Sequence, residues 1–362
     1  MSVGLDDVVA AETMLSDVDG TAGRLIIRGK ALSELSSHWS FEEVAALLLS
    51  EFVDRLPVGD ALARAIGEAR CQVFEQTRPM LERLAGLALY DGVRAGVAFM
   101  PDGEDAADAL RLLAAPAVLT SALLRVRNGK PAIAPEASAT HAADMLAMAG
   151  QEDVGGRLAR ALDAYLVTVC DHGLNASTFA ARVVASTRAG LTSSVLAGMC
   201  ALKGPLHGGA PGPVIKMLDA IAEEGDARAW LVREVRGGGR LMGFGHRIYR
   251  TRDPRADALK AALRRLQDLP RTSARLAFAE AVEKTALAVL RAEKPGRSLE
   301  TNVEFFTALL LEAVGFPPDA FTCLFAAGRV AGWIAHAREQ RVSGRLIRPQ
   351  SRYIGPPADL AA

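Results

Sequence analysis

The sequence predicts a mainly α-helical protein, and three observations carry that expectation. Half of the 362 residues are hydrophobic but only 5% are aromatic, and alanine and leucine dominate, a composition that favours helices. Apolar residues recur at helical spacing through 60–76, 79–98, 104–127 and 155–169. The β signal is thin, its best run being Arg24-Leu25-Ile26-Ile27-Arg28. A chain of this length buries a large core, as one large domain plus a smaller one or as two comparable ones.

Residues 4–30 look like an extended arm, with Asp19-Gly20 as a turn signal. Ser40-Phe41-Glu42-Glu43 is a capping box ahead of an apolar run and starts a helix. Pro57 and Asp102-Gly103 punctuate, and Pro116 stands inside the helix of 104–127, where it kinks or splits it. Arg127 to Pro131 is a turn, and helices resume at about 138–149, 155–169 and 193–202. Pro213-Val214 opens another, reaching about 223. Gly237-Gly238-Gly239 is a joint, and helices follow over 256–268, 273–293 and, after Asn302, in the apolar stretch that ends near Pro317. A last apolar helix, 321–340, carries Arg329, and Gly344 closes it.

Charge narrows the function. Lys+Arg and Asp+Glu both number 42, a balance that argues against a nucleic-acid binder. Cys71, Cys170, Cys200 and Cys323 are scattered without CxxC spacing, so they are expected as buried thiols in a reducing compartment, with neither a disulfide framework nor a metal site. No signal pattern opens the chain and no apolar run is expected to approach the ~20 residues of a membrane span. The expectation is a soluble, cytoplasmic protein without membrane contact.

Three glycine-flanked histidines stand out. In 243–255, GFGHRIYRTRDPR, Gly243 and Gly245 allow a sharp turn or close approach, and His246 is presented at its end. Arg247, Arg250, Arg252 and Arg255 supply planar forks suited to carboxylates and phosphates, with Pro254 placing Arg255 in the first turn of a helix. In 171–187, DHGLNASTFAARVVAST, Gly173 suits a left-handed cap and Asn175 or Ser177 caps the next helix; His172 is either a capping residue or a ligand contact. In 202–210, LKGPLHGGA, His207 precedes two glycines, so backbone can come close to a substrate beside an imidazole able to donate to an oxyanion. Glu304, in Asn302-Val303-Glu304-Phe305-Phe306, is either a helix-start charge or a partly desolvated general base.

Together with AAETMLSDVDGTAGRLIIRG, RNGKP, AGRVAGWIAHAREQ and RLIRPQSRYIGP, these stretches make the chain resemble the citrate synthase family nearly end to end. The resemblance implies an all-α, two-domain homodimer, with residues 1–208 and 316–362 as a large domain and 209–315 as a smaller mobile one. It implies condensation of oxaloacetate with acetyl-CoA and hydrolysis of citryl-CoA, with no metal and no cofactor beyond the acyl-CoA substrate. Glu304 stands at the base's position, His207 at that of the thioester's hydrogen-bond donor, and His246 at that of the group polarising the oxaloacetate carbonyl. His172, Arg255 and Arg329 match the carboxylate holders, Arg348 the arginine that reaches the partner's site, and Arg250 a CoA-phosphate contact.

Two departures mark this chain. Glu304 replaces the usual aspartate, and the extra methylene displaces the carboxylate by roughly 1 Å, a shift able to cost on the order of 10²-fold in rate. Pro211-Gly212 stands where many members have Asn-Glu. Both changes resemble a subgroup of paralogous bacterial citrate synthases. Two alternatives stay open: 2-methylcitrate synthase, using propionyl-CoA, and a non-catalytic relative that binds oxaloacetate and CoA.

Overall fold

The computed structural model describes residues 5, 8–208 and 211–356. They form a helical protein with one small antiparallel sheet, β1 (Ser16–Asp19), β2 (Arg24–Ile27) and β3 (Lys30–Ala31). The expected arm is thus a hairpin. Asp19 Oδ1 accepts the N–H groups of Thr21 (3.0 Å) and Ala22 (2.8 Å), which shapes the turn, and Ser16 pairs with Ile27.

Capping chemistry places the helices much as expected. Ser40 Oγ accepts Glu43 N–H (3.2 Å) while Glu43 Oε2 accepts Ser40 N–H (2.7 Å), starting Phe41–Leu49. Asp105 and Asp108 make the same reciprocal pair for Ala106–Arg127. That helix stays continuous through Pro116, and Thr120 Oγ1 donates to the Pro116 carbonyl (2.6 Å). It is long and apolar enough to cross a membrane, against expectation, but most of it is buried in the core. The helices Asp60–Thr77, Leu89–Val97, His141–Ala149 and Phe321–Ser343 pack around it.

Three other expectations change. The single helix of 79–98 is a 3₁₀ turn (Arg78–Met80), a short helix (Leu81–Ala85) and Leu89–Val97; Arg127 Nη1 donates to the carbonyls of Ala85 and Leu87 and stabilises the gap. Among the described residues two unanticipated helices occur, Leu32–His38 and Ala227–Arg236. Of the cysteines, Cys170 and Cys323 are buried, but Cys71 is half-buried and Cys200 exposed.

Close helix packing prepares the site. In Phe321–Ser343, a Cβ at Gly328 would come within 2.5 Å of Val169 Cγ2, and one at Gly332 would overlap the Cys170 carbonyl. A Cβ at Gly198 would lie 2.8 Å from the Trp333 ring. Only glycine lets this helix lie against Arg157–Val169 and Leu191–Leu202, and the contact carries Arg329 to the segment that ends in His172.

Candidate active site

One side of the site is built almost wholly from 243–255 and the strand-like segment 300–302. Gly243 (φ 84°) and Gly245 (φ 83°) adopt left-handed backbone, and a Cβ at Gly243 would lie 2.7 Å from Phe305 Cβ. Gly245 N–H donates to the Glu300 carbonyl (2.7 Å), and Asn302 N–H to that of Gly243 (2.9 Å). Asn302 then spans two elements: Nδ2 donates to the Gly245 carbonyl (2.8 Å), and Oδ1 caps Val303–Val314 by accepting Glu304 N–H (3.0 Å). His246 and Glu304 therefore ride on one hydrogen-bonded lattice.

Asp253 locks Arg255 to the same lattice. Its Oδ1 accepts Arg255 N–H and Nε–H (both 3.0 Å), and its Oδ2 accepts Arg255 Nη2–H (2.8 Å) and Val303 N–H (3.1 Å). One buried carboxylate thus caps Pro254–Arg264, orients a guanidinium and helps start the helix of Glu304.

The backbone assigns the His246 tautomer. Ile248 N–H and Tyr249 N–H both donate to Nδ1, each at 3.1 Å, so Nδ1 holds the lone pair and the proton sits on Nε2. Arg255 Nη2 lies 3.2 Å from that Nε2. Two donors this close do not satisfy each other; they converge on a place for an acceptor. Burial, and then Arg255, hold the imidazole pKa down at about 4, so the ring is a neutral donor at pH 7.

The opposite side comes from distant helices. Beyond Arg157–Val169 the chain turns at Gly173 (φ 60°) and presents His172, whose Nε2 lies 3.1 Å from Tyr249 Oη and whose ring centroid is 5.8 Å from that of His246. Burial, followed by the charges of Arg255 and Arg329, pushes the His172 pKa well below its usual value. His207 Nε2 lies 2.8 Å from Ser177 Oγ. That oxygen receives Trp333 Nε1–H (3.1 Å) and donates its own proton to Asn175 Oδ1 (2.8 Å), which also accepts the N–H groups of Ser177 and Thr178. Burial, then Arg329 and Arg255, lower the His207 pKa to about 4.

Arg329 is 1% exposed; its Nε donates to the Val169 carbonyl (2.5 Å), while its Nη2 is buried without a hydrogen-bond partner. Burial lowers its pKa to about 10, leaving it cationic at pH 7. A buried guanidinium with an unmet donor is unfavourable until an anion arrives. Glu304 shows the complement: burial lifts its pKa to about 7, against the pull of Arg255 and Arg240.

The structure brings His172, His246 and Arg255 into direct or ring contact, with His207, Glu304 and Arg329 tied to them electrostatically. Arg250 and Arg348 stand apart from these contacts. Arg250 is exposed, its backbone used by Gly20 and Ser298; Arg348 is exposed on residues 344–356. Sequence reasoning missed Tyr249, Ser177 and Asp253 as supports. It also missed a cleft of about 480 Å³ beside His246, lined by Arg240, Arg247, Lys294 and Arg297. The cluster RAEKPGR and the triple glycine before Arg240 were its only signal.

Comparison with known proteins identifies the family. The family model described as "Citrate synthase, C-terminal domain" matches residues 4–350. The "Putative citrate synthase 2" of Mycobacterium tuberculosis is 39% identical over 98% of this chain and 92% of its own length. Haloferax volcanii citrate synthase is 35% identical over 97% of this chain and 95% of its own. The crystal structure of citrate synthase from Thermotoga maritima superposes with a TM-score of 0.84 at 32% identity, covering 98% of this chain and 95% of that one. The Thermoplasma acidophilum enzyme, solved as a ternary complex with carboxymethyl coenzyme A and oxaloacetate, gives 0.86 at 28% identity, covering 99% and 97%. The chain belongs to the citrate synthase family and is an all-α enzyme of that acyltransferase type.

Proposed function

We propose that this enzyme condenses oxaloacetate with the methyl group of acetyl-CoA and hydrolyses the thioester product to citrate and CoA. The observation that carries the proposal is the convergence of His246 Nε2–H and Arg255 Nη2–H, 3.2 Å apart, near a carboxylate whose pKa burial lifts to about 7. Such a donor pair suits a ketone oxygen that becomes an alkoxide, and such a carboxylate suits removal of a weakly acidic C–H proton. His172, Arg255 and Arg329 hold the carboxylates of oxaloacetate. Glu304 takes a methyl proton of the acetyl group while His207 stands as the hydrogen-bond partner of the thioester oxygen, the role the family resemblance gives it. The resulting carbon nucleophile attacks the ketone carbon, and the ketone oxygen ends as the hydroxyl of the product. Water then cleaves the C–S bond and releases the thiol.

The basic cleft beside His246 supports binding of the CoA phosphates, and the family resemblance adds Arg250, outside that lining, as a further phosphate contact. We assign residues 209–315 to a smaller domain that closes over the substrates; its first boundary abuts residues 209–210, outside the described residues. We also assign a homodimer in which Arg348 enters the partner's site. The tail exposes Leu346 (59%), Tyr353 (76%) and Ile354 (85%), apolar groups that a second copy would cover.

Thiol release by purified enzyme, measured with oxaloacetate and either acetyl-CoA or propionyl-CoA, tests this reading. Oxaloacetate-dependent release with a higher specificity constant for acetyl-CoA is the expected result. A preference for propionyl-CoA would make it a 2-methylcitrate synthase. Oxaloacetate binding without release from either thioester would make it a non-catalytic relative.

A further inference from the structure

The N-terminal hairpin touches both sides of the site, and nothing in the reaction chemistry above uses it. Its root is fixed to the helical body. Met14 N–H donates to Glu339 Oε1 (2.7 Å), and Arg182 Nη2 reaches the Glu12 carbonyl (3.4 Å). Ser16 then brackets His172: its Oγ donates to Asp171 Oδ2 on one side and accepts Gly173 N–H (2.9 Å) on the other. Asp171 is buried, and its second oxygen lies 3.2 Å from His336 Nε2. Arg182 Nη1 lies 2.9 Å from His336 Nδ1 and 2.5 Å from Glu339 Oε2, so the root is anchored in a continuous buried network.

The hairpin's tip rests on the His246 loop. Arg250 N–H donates to the Gly20 carbonyl (2.8 Å). Gly20 lies outside the left-handed region, so its role here is close approach: a Cβ would overlap the Ile248 carbonyl oxygen and stand 2.8 Å from the carbonyl carbon. A Cβ at Gly23 would meet Thr251 Oγ1 at 2.6 Å. The backbone pressed by Gly20 belongs to Ile248, whose own N–H donates to His246 Nδ1. A rigid pair of strands thus runs from the residues flanking His172 to the residue that sets the His246 tautomer.

We infer that this hairpin is a positioning strut for the condensation. Ser16 fixes the backbone around His172, and Gly20 seats the loop 246–252 against it, so that His172 and His246 meet one oxaloacetate from opposite sides. The inference rests on the functional reading above. Displacing the tip separates the two imidazoles, and a misplacement near 1 Å is worth on the order of 10²-fold in rate.

Gly20→Val tests the tip. It is expected to raise the KM for oxaloacetate at least tenfold and to lower kcat, while Thr21→Ala, at an exposed position in the same turn, stays within twofold of wild type. Ser16→Ala is expected to raise that KM several-fold, and Ser16→Thr, which restores the hydroxyl, to recover most of the loss. Calorimetric titration with oxaloacetate alone reads the same effect without turnover. If Gly20→Val does not fold, Gly20→Ala carries the same criterion, because its single Cβ already meets the Ile248 carbonyl. A Gly20 variant whose KM, kcat and oxaloacetate affinity stay within twofold of wild type would overturn the strut, as would a Ser16→Thr variant no better than Ser16→Ala. Absence of CoA release from wild type would instead overturn the functional reading, and oxaloacetate affinity would still judge the strut.

Discussion

The two sides of this site present the same side chain by opposite means. His246 is held by two backbone N–H groups within three residues of itself, on a loop pinned by glycines to the segment leading to Glu304. His207 is held by the Ser177 hydroxyl, which is itself set by Trp333 and Asn175 from other parts of the chain. No side chain sets the His246 tautomer. A donor built over long range depends on each member of its network. The comparison teaches that the loop side should respond to displacement of its backbone, as at Gly20, whereas the helical side should respond to loss of single supporting side chains.

The largest effect should come from the buried carboxylate on the loop side. Glu304→Gln is expected to lower kcat by about 10²- to 10⁴-fold, the usual contribution of a positioned general base, read as CoA release under saturating substrates. The same substitution should stabilise the fold. With a folded pKa of about 7 above the ordinary 4.5, Glu304 retains its proton in the folded state after the unfolded state has lost it. Its contribution to stability therefore falls as pH rises from 4.5 to 7. Removing the ionisable group should add roughly 2 kcal/mol at pH 8, discounted for partial exposure, and almost nothing near pH 4.5. Denaturant titrations at both pH values check this.

Next comes the helical side. Arg329→Lys should weaken oxaloacetate binding by on the order of 10²-fold, because an ammonium cannot both donate to the Val169 carbonyl and present a second planar donor to the ligand. Calorimetry reads it directly. Ser177→Ala should lower kcat by about tenfold and leave the KM for oxaloacetate near wild type, since it frees the His207 ring without touching the groups assigned to that substrate. A Ser177→Ala enzyme with unchanged kcat would break the comparison between the two sides. The smallest change expected is in pH response: kcat/KM should rise through a single limb near pH 7, set by Glu304, with neither His207 nor His246 contributing above pH 5 because both titrate near 4.

What was legible in the sequence follows the same division. Caps and turns are local, so the boxes at Ser40, the Asn175 cap and the Asp253-Pro254 helix start were visible in short windows. The glycines around His172, His207 and His246 marked imidazoles presented at turns, and the resemblance supplied their expected roles. Glu304 was legible as a charge at a helix start, whereas its raised pKa is a product of burial that no window displays. The partnership of Ser177 with His207 crosses 30 residues, and that of Ser16 with Asp171 crosses 155. Helix Leu32–His38 begins at Ala31 with no side-chain cap, and Ala227–Arg236 buries only Leu231 and Val235, so neither carried a strong pattern. The gap after Ala85 depends on Arg127, a residue 42 positions away.

The central claim is that neutral His246 and cationic Arg255 together receive the ketone oxygen. The ¹³C resonance of oxaloacetate labelled at the ketone carbon, recorded bound to wild type and to His246→Ala, tests it most directly. The account predicts a downfield displacement on binding wild type that is largely lost in the variant, with the ligand still bound through Arg255 and Arg329. The same displacement in both proteins would contradict it and assign the polarisation of the ketone elsewhere in the site.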